Sequence, residues 1–323
     1  MCFSTWHGAC NVAWSRQWRL TRRIHFVLAL LVLGPGLASV AQAQAIELID
    51  DAGRAVYLAA PAKRVITLTP HITEMVFAAG GGDRLVATVS ASDYPAAAQT
   101  LPRVGDGLHP NPEQVAKHRP DLVMGWMPMQ VEYLDPLNVP VFISAPMTLD
   151  DIPDSIEAIG ILLGTREMAS AKAQSLRDQL LQLDKPRPPG ERPVRVMIQL
   201  GPNPDFSLND SHILSDVIRL CGGVNVFGDS GAIAPRISTE SVLATKPDLV
   251  IVGTDKQEKQ TGAAALALAF WKKAGLDAAN HGRVYGLDAD VIFRPGPRLI
   301  EQAGAICKLI DQARASGRAP SSE

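Results

Sequence analysis

The sequence predicts an α/β protein of two lobes, each a parallel sheet flanked by helices, joined by one long rigid helix. Three observations carry this reading: an internal echo, strands alternating with helices in both halves, and an unbroken amphipathic stretch between them. The echo is the most informative. Glu113-Gln-Val-Ala-Lys-His-Arg-Pro-Asp-Leu-Val-Met-Gly returns 127 positions later as Glu240-Ser-Val-Leu-Ala-Thr-Lys-Pro-Asp-Leu-Val-Ile-Val, with six of 13 positions identical. Each copy reads as a short helix, a turn at a basic-Pro-Asp triplet, and an apolar strand. The surroundings repeat as well. Strand-like Arg64 to Leu68 and Arg195 to Leu200 are each followed by a Pro-containing loop. Helical patterns then run from Ile72 to Ala79 and from His212 to Leu220, each ending at glycines that suit a left-handed cap. Strands alternating with helices imply parallel sheets covered by helices.

The elements follow in chain order. No Asp or Glu precedes Glu47, whereas Arg16, Arg19, Arg22 and Arg23 all lie early, before an apolar run from Phe26 to Leu33 and the small-residue site Ala41-Gln42-Ala43. Basic, greasy, then small is the order of a secretory signal peptide, and the apolar run is short for a membrane span. Residues 1–43 are therefore expected to be removed, leaving an exported, soluble protein from near Gln44. Without the four early arginines, the 33 acidic residues exceed the basic ones by six, a balance that argues against nucleic acid as a partner.

Residues 44–165 make the expected N-terminal lobe and 189–323 the C-terminal lobe. Between them, 166–188 form the linker. Residues 166–185 lack Gly and Pro, and Ala169, Ala173, Leu176, Leu180 and Leu183 fall at spacings of 4, 3, 4 and 3, one face of a helix. Lys172, Arg177 and Gln179 oppose that face, and the Pro-rich run at 186–190 stops it. Cys221 and Cys307 remain after processing. In an oxidising compartment such a pair fits either a disulfide or two buried thiols.

Catalytic signatures do not emerge. The sequence holds no G-x-S-x-G, phosphate-loop, dinucleotide or H-E-x-x-H motif, and its α/β pattern makes Gly228-Asp-Ser-Gly231 a coincidental match to a protease serine. The histidines are dispersed, so no metal cluster is expected. His71 and His109 stand out because each adjoins a proline at a strand-to-helix loop, the carboxyl edge where open α/β lobes bind ligands. Aromatics are scarce at 5%. Trp271 lies in an amphipathic stretch and reads as core. Trp126 and Phe206 each follow an apolar strand, one per lobe, and fit either core packing or two walls around a flat apolar guest. Glu113 and Glu240 hold equivalent places in the echo. They fit either helix-start carboxylates or two acidic knobs for a partner with basic pockets.

Arg64-Val-Ile-Thr-Leu-Thr-Pro70, Ser92-Asp-Tyr-Pro95, Pro120-Asp-Leu-Val123, Pro247-Asp-Leu-Val250 and Cys221-Gly-Gly223 together resemble the cobalamin-binding periplasmic proteins of ABC importers, part of the receptor family with a helical backbone that also serves haem and iron–siderophores. The match runs from about Ala62 to Ala313. The resemblance implies ligand binding between the lobes, a Cys221–Cys307 disulfide, and docking of Glu113 and Glu240 on a permease dimer served by its ATPase. It also implies ligand contacts from Trp126, Phe206 and the Pro70 loop, with Asp290 and Arg294 as a polar pair on the second lobe. Three positions depart from the cobalamin-binding pattern, which has Tyr, Trp and Trp where Ala91, Gly107 and Ala234 stand. His71, His109, Met127 and Phe293 are candidates to restore the lost contacts. The expectation is thus a monomeric periplasmic receptor for cobalamin, without catalytic cofactor or enzymatic activity. Haem or an iron–siderophore is the alternative cargo, with His71, His109 or Tyr94 as axial ligand for haem. An exported sensor and an α/β enzyme are more distant alternatives.

Overall fold

The architecture is that of a computed structural model, which describes residues 45–184, 190–201, 203–255 and 262–316. The expected signal peptide and the Pro-rich stop at 186–189 lie outside the described residues. The described chain opens with an antiparallel hairpin, β1 (Ile46–Ile49) and β2 (Ala55–Leu58), which an all-parallel reading does not include. Its turn is built by Asp50, whose carboxylate accepts from the Ala52 and Arg54 amides at 3.0 and 2.9 Å and pairs with the Arg54 guanidinium at 2.7 Å. The same carboxylate takes the Ile143 amide at 3.1 Å and so ties the hairpin to the first lobe.

That lobe contains β3 (Val65–Thr67), α1 (Pro70–Ala78), β4 (Leu85–Ala87), α2 (Pro112–Lys117), β5 (Leu122–Gly125), α3 (Pro128–Val131), β6 (Val141–Ile143) and α4 (Asp151–Leu163). After α5 (Arg166–Leu183) come β7 (Val194–Gln199), α6 (Leu214–Leu220), β8 (Gly223–Asn225), α7 (Thr239–Thr245), β9 (Leu249–Thr254), α8 (Ala263–Lys273), α9 (Asp277–Asn280), β10 (Val284–Asp288), α10 (Ala289–Ile292) and α11 (Pro297–Ser316). The sheets are all parallel, ordered β4-β3-β5-β6 and β8-β7-β9-β10. In both lobes the second strand sits outside the first, so the echo in sequence is an echo in topology.

The repeated triplet shows why. Asp121 accepts from the Lys63 and Arg64 amides at 2.9 and 2.8 Å, and Asp248 accepts from the Arg195 amide at 2.7 Å. Each aspartate thus locks the start of one strand to its neighbour. The basic residue before each proline, Arg119 or Lys246, adopts φ of +45°. The right-handed helical region is disfavoured for a residue preceding proline, and this left-handed turn ends the helix in both copies.

One apolar core runs through both lobes. Ile72, Met75 and Val76 of α1, Ile156 and Ile159 of α4 and Leu176 of α5 join Val217 of α6 and Leu299, Ile300 and Ile306 of α11. Each such side chain contributes roughly 1.5–3 kcal/mol of burial, so the lobes are welded along their inner faces. Separate clusters cover the outer sheet faces. Ala169, Ala173, Leu176 and Leu180 are the buried face of α5. Its polar side is braced by Arg177 on Asp154 and Glu157 at 2.6 and 2.8 Å, and by Lys172 on Glu301 at 2.6 Å. Cys221, at the end of α6, is disulfide-bonded to Cys307 of α11 across 86 residues, a closure worth about 4–5 kcal/mol in the chain-entropy account.

Candidate functional site

The carboxyl ends of both sheets open onto one cavity of about 380 Å³, within the size range of small-molecule sites. From the first lobe it is lined by the loop Leu68–His71 after β3, by Gly107 and Leu108, by Trp126 at the end of β5, and by Pro146 and Met147 beyond β6. From the second come Ser211, His212, Ile213, Ile233 and the segment Phe293–Pro295. Most of these surfaces are apolar.

One buried hydrogen-bonded device holds the first wall. Gln130 accepts from the Trp126 and Met127 amides at 2.9 and 3.1 Å and donates to the Gly107 carbonyl at 2.8 Å, clipping two lining segments together. Gly107 itself has φ of +94°, and a Cβ there would lie 2.8 Å from the Leu68 carbonyl oxygen. This backbone admits no side chain at 107, so the tryptophan of the cobalamin-binding pattern has no place. The next residue, Leu108, lines the cavity instead, and Ile233 does the same beside Ala234. Leu108 and Ile233 thus give the cavity aliphatic walls beside two of the three departures.

His71, the second residue of α1, and His212, two residues before α6, face the same cavity. His71 is 4% exposed and meets Trp126 edge-to-face at 5.8 Å. Burial is the main cause that holds its imidazole down at about 3, against a hydrogen bond to the Ser144 backbone. His212 packs edge-to-face on Phe293 at 5.9 Å and is held at about 4, again chiefly by burial. Its Nδ1 accepts from the Leu214 amide at 3.2 Å, and the Phe293 backbone takes up the other side of the ring. Both rings are therefore neutral at physiological pH. Phe293 in turn packs against Gly253 of β9, where a Cβ would come 2.2 Å from the phenyl ring.

Behind Arg294 an ion network crosses from one lobe to the other. Its guanidinium reaches Asp93 at 3.3 Å and Glu74 at 3.7 Å, and pairs with Asp290 on its own lobe. Arg298 grips Glu74 with two nitrogens, one at 2.8 Å, donates to the Asp290 carbonyl at 3.1 Å, and lies 4.3 Å over the Tyr94 ring. Glu74 is only 3% exposed.

The structure thus brings together Pro70, His71, Trp126 and Arg294 on the cavity wall. Asp290 stands behind Arg294 and does not line the cavity. Phe206 is 43% exposed on its loop, outside the lining. His109 is also outside it, with its amide on Asp106 at 2.8 Å and its ring against Tyr133. Trp271, the expected core aromatic, is fully buried and donates to Gln199 at 2.7 Å. Glu113 and Glu240 are both exposed at the second position of α2 and α7, after the N-caps Asn111 and Ser238. Sequence reasoning passed over His212, Ile233 and Met147 as lining residues. The echo held a signal for His212, since it opens the second lobe's first helical pattern as His71 enters the first lobe's.

Residues 65–291 match the family described as periplasmic binding protein. The vitamin B12-binding protein of Vibrio cholerae is 34% identical over 260 residues, 79% of this chain and 91% of that protein. The crystal structure of the periplasmic vitamin B12-binding protein of Vibrio cholerae superposes with a TM-score of 0.68 at 33% identity, covering 79% of this chain and 98% of that one. The periplasmic heme-binding protein of Roseiflexus sp. RS-1 shares the fold at 23% identity and a TM-score of 0.67, over 78% and 99% of the two chains. With the family match over most of the chain and the same two-lobed fold, this chain belongs to the periplasmic binding protein family.

Proposed function

We propose that the chain captures a corrinoid, cobalamin in the first instance, in the inter-lobe cavity and delivers it to an ABC permease dimer with its ATPase. The observation that carries this is one apolar cavity built from both sheets' carboxyl ends, in a chain whose relatives include vitamin B12-binding proteins. A corrin with its nucleotide loop is larger than the cavity, so the guest projects beyond it. Trp126, Phe293, Ile233 and Leu108 supply dispersion and burial inside, while Phe206 and His109 act at the mouth. Arg294, braced by Asp290, is the polar edge. Glu113 and Glu240 seat one lobe on each permease subunit. The protein acts as a monomeric carrier and not as an enzyme, exported to the periplasm by residues 1–43 and working without a catalytic cofactor. The continuous core and the braced α5 support a cleft largely formed before the ligand arrives.

Titration of the purified protein with cyanocobalamin and with hemin tests the reading. Cyanocobalamin is expected to quench tryptophan fluorescence to saturation. Trp126, 39% exposed on the cavity wall, should supply the larger part of the signal, and Trp126→Phe should reduce it; Trp271 is sealed in the core. Hemin binding with a Soret shift, and no response to cyanocobalamin, would transfer the cargo assignment to haem.

A further inference from the structure

Two buried polar atoms on cavity-lining residues have no partner. The Thr69 hydroxyl and His71 Nε2 are both buried without a hydrogen bond, and both residues line the cavity. Thr69 is the N-cap residue of α1, yet its side chain makes no capping bond, so the local fold does not use this hydroxyl. The next residue is Pro70, at the first position of the helix, which has no amide hydrogen to offer it. On His71 the Ser144 backbone engages one side of the ring, and the nitrogen left over is an acceptor. Burial keeps the ring neutral. A buried polar group without a partner destabilises the fold, and two on neighbouring lining residues are a standing demand for a guest that completes them.

That demand has a defined chemistry. Nε2 requires an N–H or O–H donor, and the hydroxyl can give a proton to an acceptor beside it. A carboxylate has no proton to give and would face the Nε2 lone pair. Resting on the corrinoid reading above, we propose that Thr69 and His71 form a neutral subsite for a primary carboxamide of the cargo, its N–H on His71 Nε2 and its carbonyl on the Thr69 hydroxyl. Corrin rings carry such amides at their rim, whereas haem carries carboxylates. Trp126, packed against the His71 ring and partly exposed, is the side chain that turns aside as the amide enters. His71 is then a selector of cargo by hydrogen bonding and not an axial ligand.

The test is equilibrium binding of cyanocobalamin, and of cyanocobalamin partly hydrolysed to peripheral monocarboxylates, to the wild type and to Thr69→Val, His71→Leu and His71→Gln. The wild type should prefer the intact amides. Thr69→Val, nearly the same shape as the original, and His71→Leu should each weaken cyanocobalamin binding about tenfold, the equivalent of one hydrogen bond near 1.4 kcal/mol. His71→Gln, which keeps an acceptor, should stay within about threefold, and His71→Leu should lose the preference for amide over acid. Wild-type affinity in both Thr69→Val and His71→Leu would overturn the subsite while leaving the corrinoid reading intact. Failure of the wild type to bind cyanocobalamin would overturn both, as would a hemin Soret band that disappears in His71→Leu. Thermal melts of each variant separate a lost contact from a lost fold.

Discussion

Reversing Glu113 and Glu240 together to lysine is expected to reduce delivery of cargo to the permease more than a hundredfold while leaving ligand affinity within about twofold. The two carboxylates are exposed, lie at the same position of α2 and α7, and are set by equivalent capping bonds, Gln114 amide to Asn111 at 3.1 Å and Ser241 amide to Ser238 at 3.2 Å. Neither residue lines the cavity. Helix-start stabilisation alone is worth only tenths of a kcal/mol at exposed positions, and Asn111 and Ser238 already cap these helices. Truncating one partner of a buried interfacial charge pair costs about 2–5 kcal/mol, and reversal adds repulsion, so two lost pairs exceed the hundredfold mark. Uptake of labelled cargo by proteoliposomes holding the transporter measures the effect, and single reversals should fall between. Undiminished uptake by the double variant would reduce both glutamates to ordinary first-turn residues.

Glu74→Leu is expected to be the costliest single substitution at the lobe interface, lowering unfolding free energy by about 3 kcal/mol, the lower end for breaking a buried ion pair. Arg298 would lose its two-point grip and keep only the Asp290 carbonyl and the Tyr94 ring, and Arg294 would lose one of its carboxylates. Combining Glu74→Leu with Arg298→Met removes both charges and should recover much of the loss. Glu74→Gln, which keeps an acceptor for Arg298 but not the charge, should fall between the wild type and Glu74→Leu. Burial is the largest influence on the Glu74 carboxyl and pushes it up, against the pull of Arg298 and Arg294. The folded chain thus holds this proton more tightly than the unfolded chain does. The group's contribution is fullest below the ordinary glutamate range and shrinks as pH rises through its raised folded value. Urea denaturation reads these differences, and a Glu74→Leu midpoint equal to the wild type's would show that the shared apolar core alone fixes the lobes.

Much of the architecture was legible because it is written twice. The Pro-Asp-Leu-Val echo marks the same strand in each lobe, and the aspartate's hydrogen bonds to the neighbouring strand explain why both copies retain it. The face Ala169, Ala173, Leu176, Leu180 was readable from spacing alone. The β1–β2 hairpin was not, because its attachment to the lobe depends on Asp50 reaching Ile143, 93 residues away. Distance in sequence also hid the ion network. Glu74 sits in a helix with apolar neighbours and gives no sign that Arg298, 224 positions on, will neutralise it. At the site, Pro70, His71 and Trp126 were visible as strand-end residues, whereas the Leu108 and Ile233 walls depend on how Gly107 and its neighbours turn. Phe206 followed the strand-end rule equally well. Its loop carries it outside the cavity lining, which no linear pattern encodes.

Cobalt has its own X-ray absorption edge, and the corrin places one cobalt atom at its centre. Anomalous scattering at that edge, from crystals of the protein grown with cyanocobalamin, should give a single strong peak in the gap faced by Trp126 and Phe293. A cobalt peak elsewhere on the molecule, or none in crystals soaked to saturation, would contradict capture between the lobes.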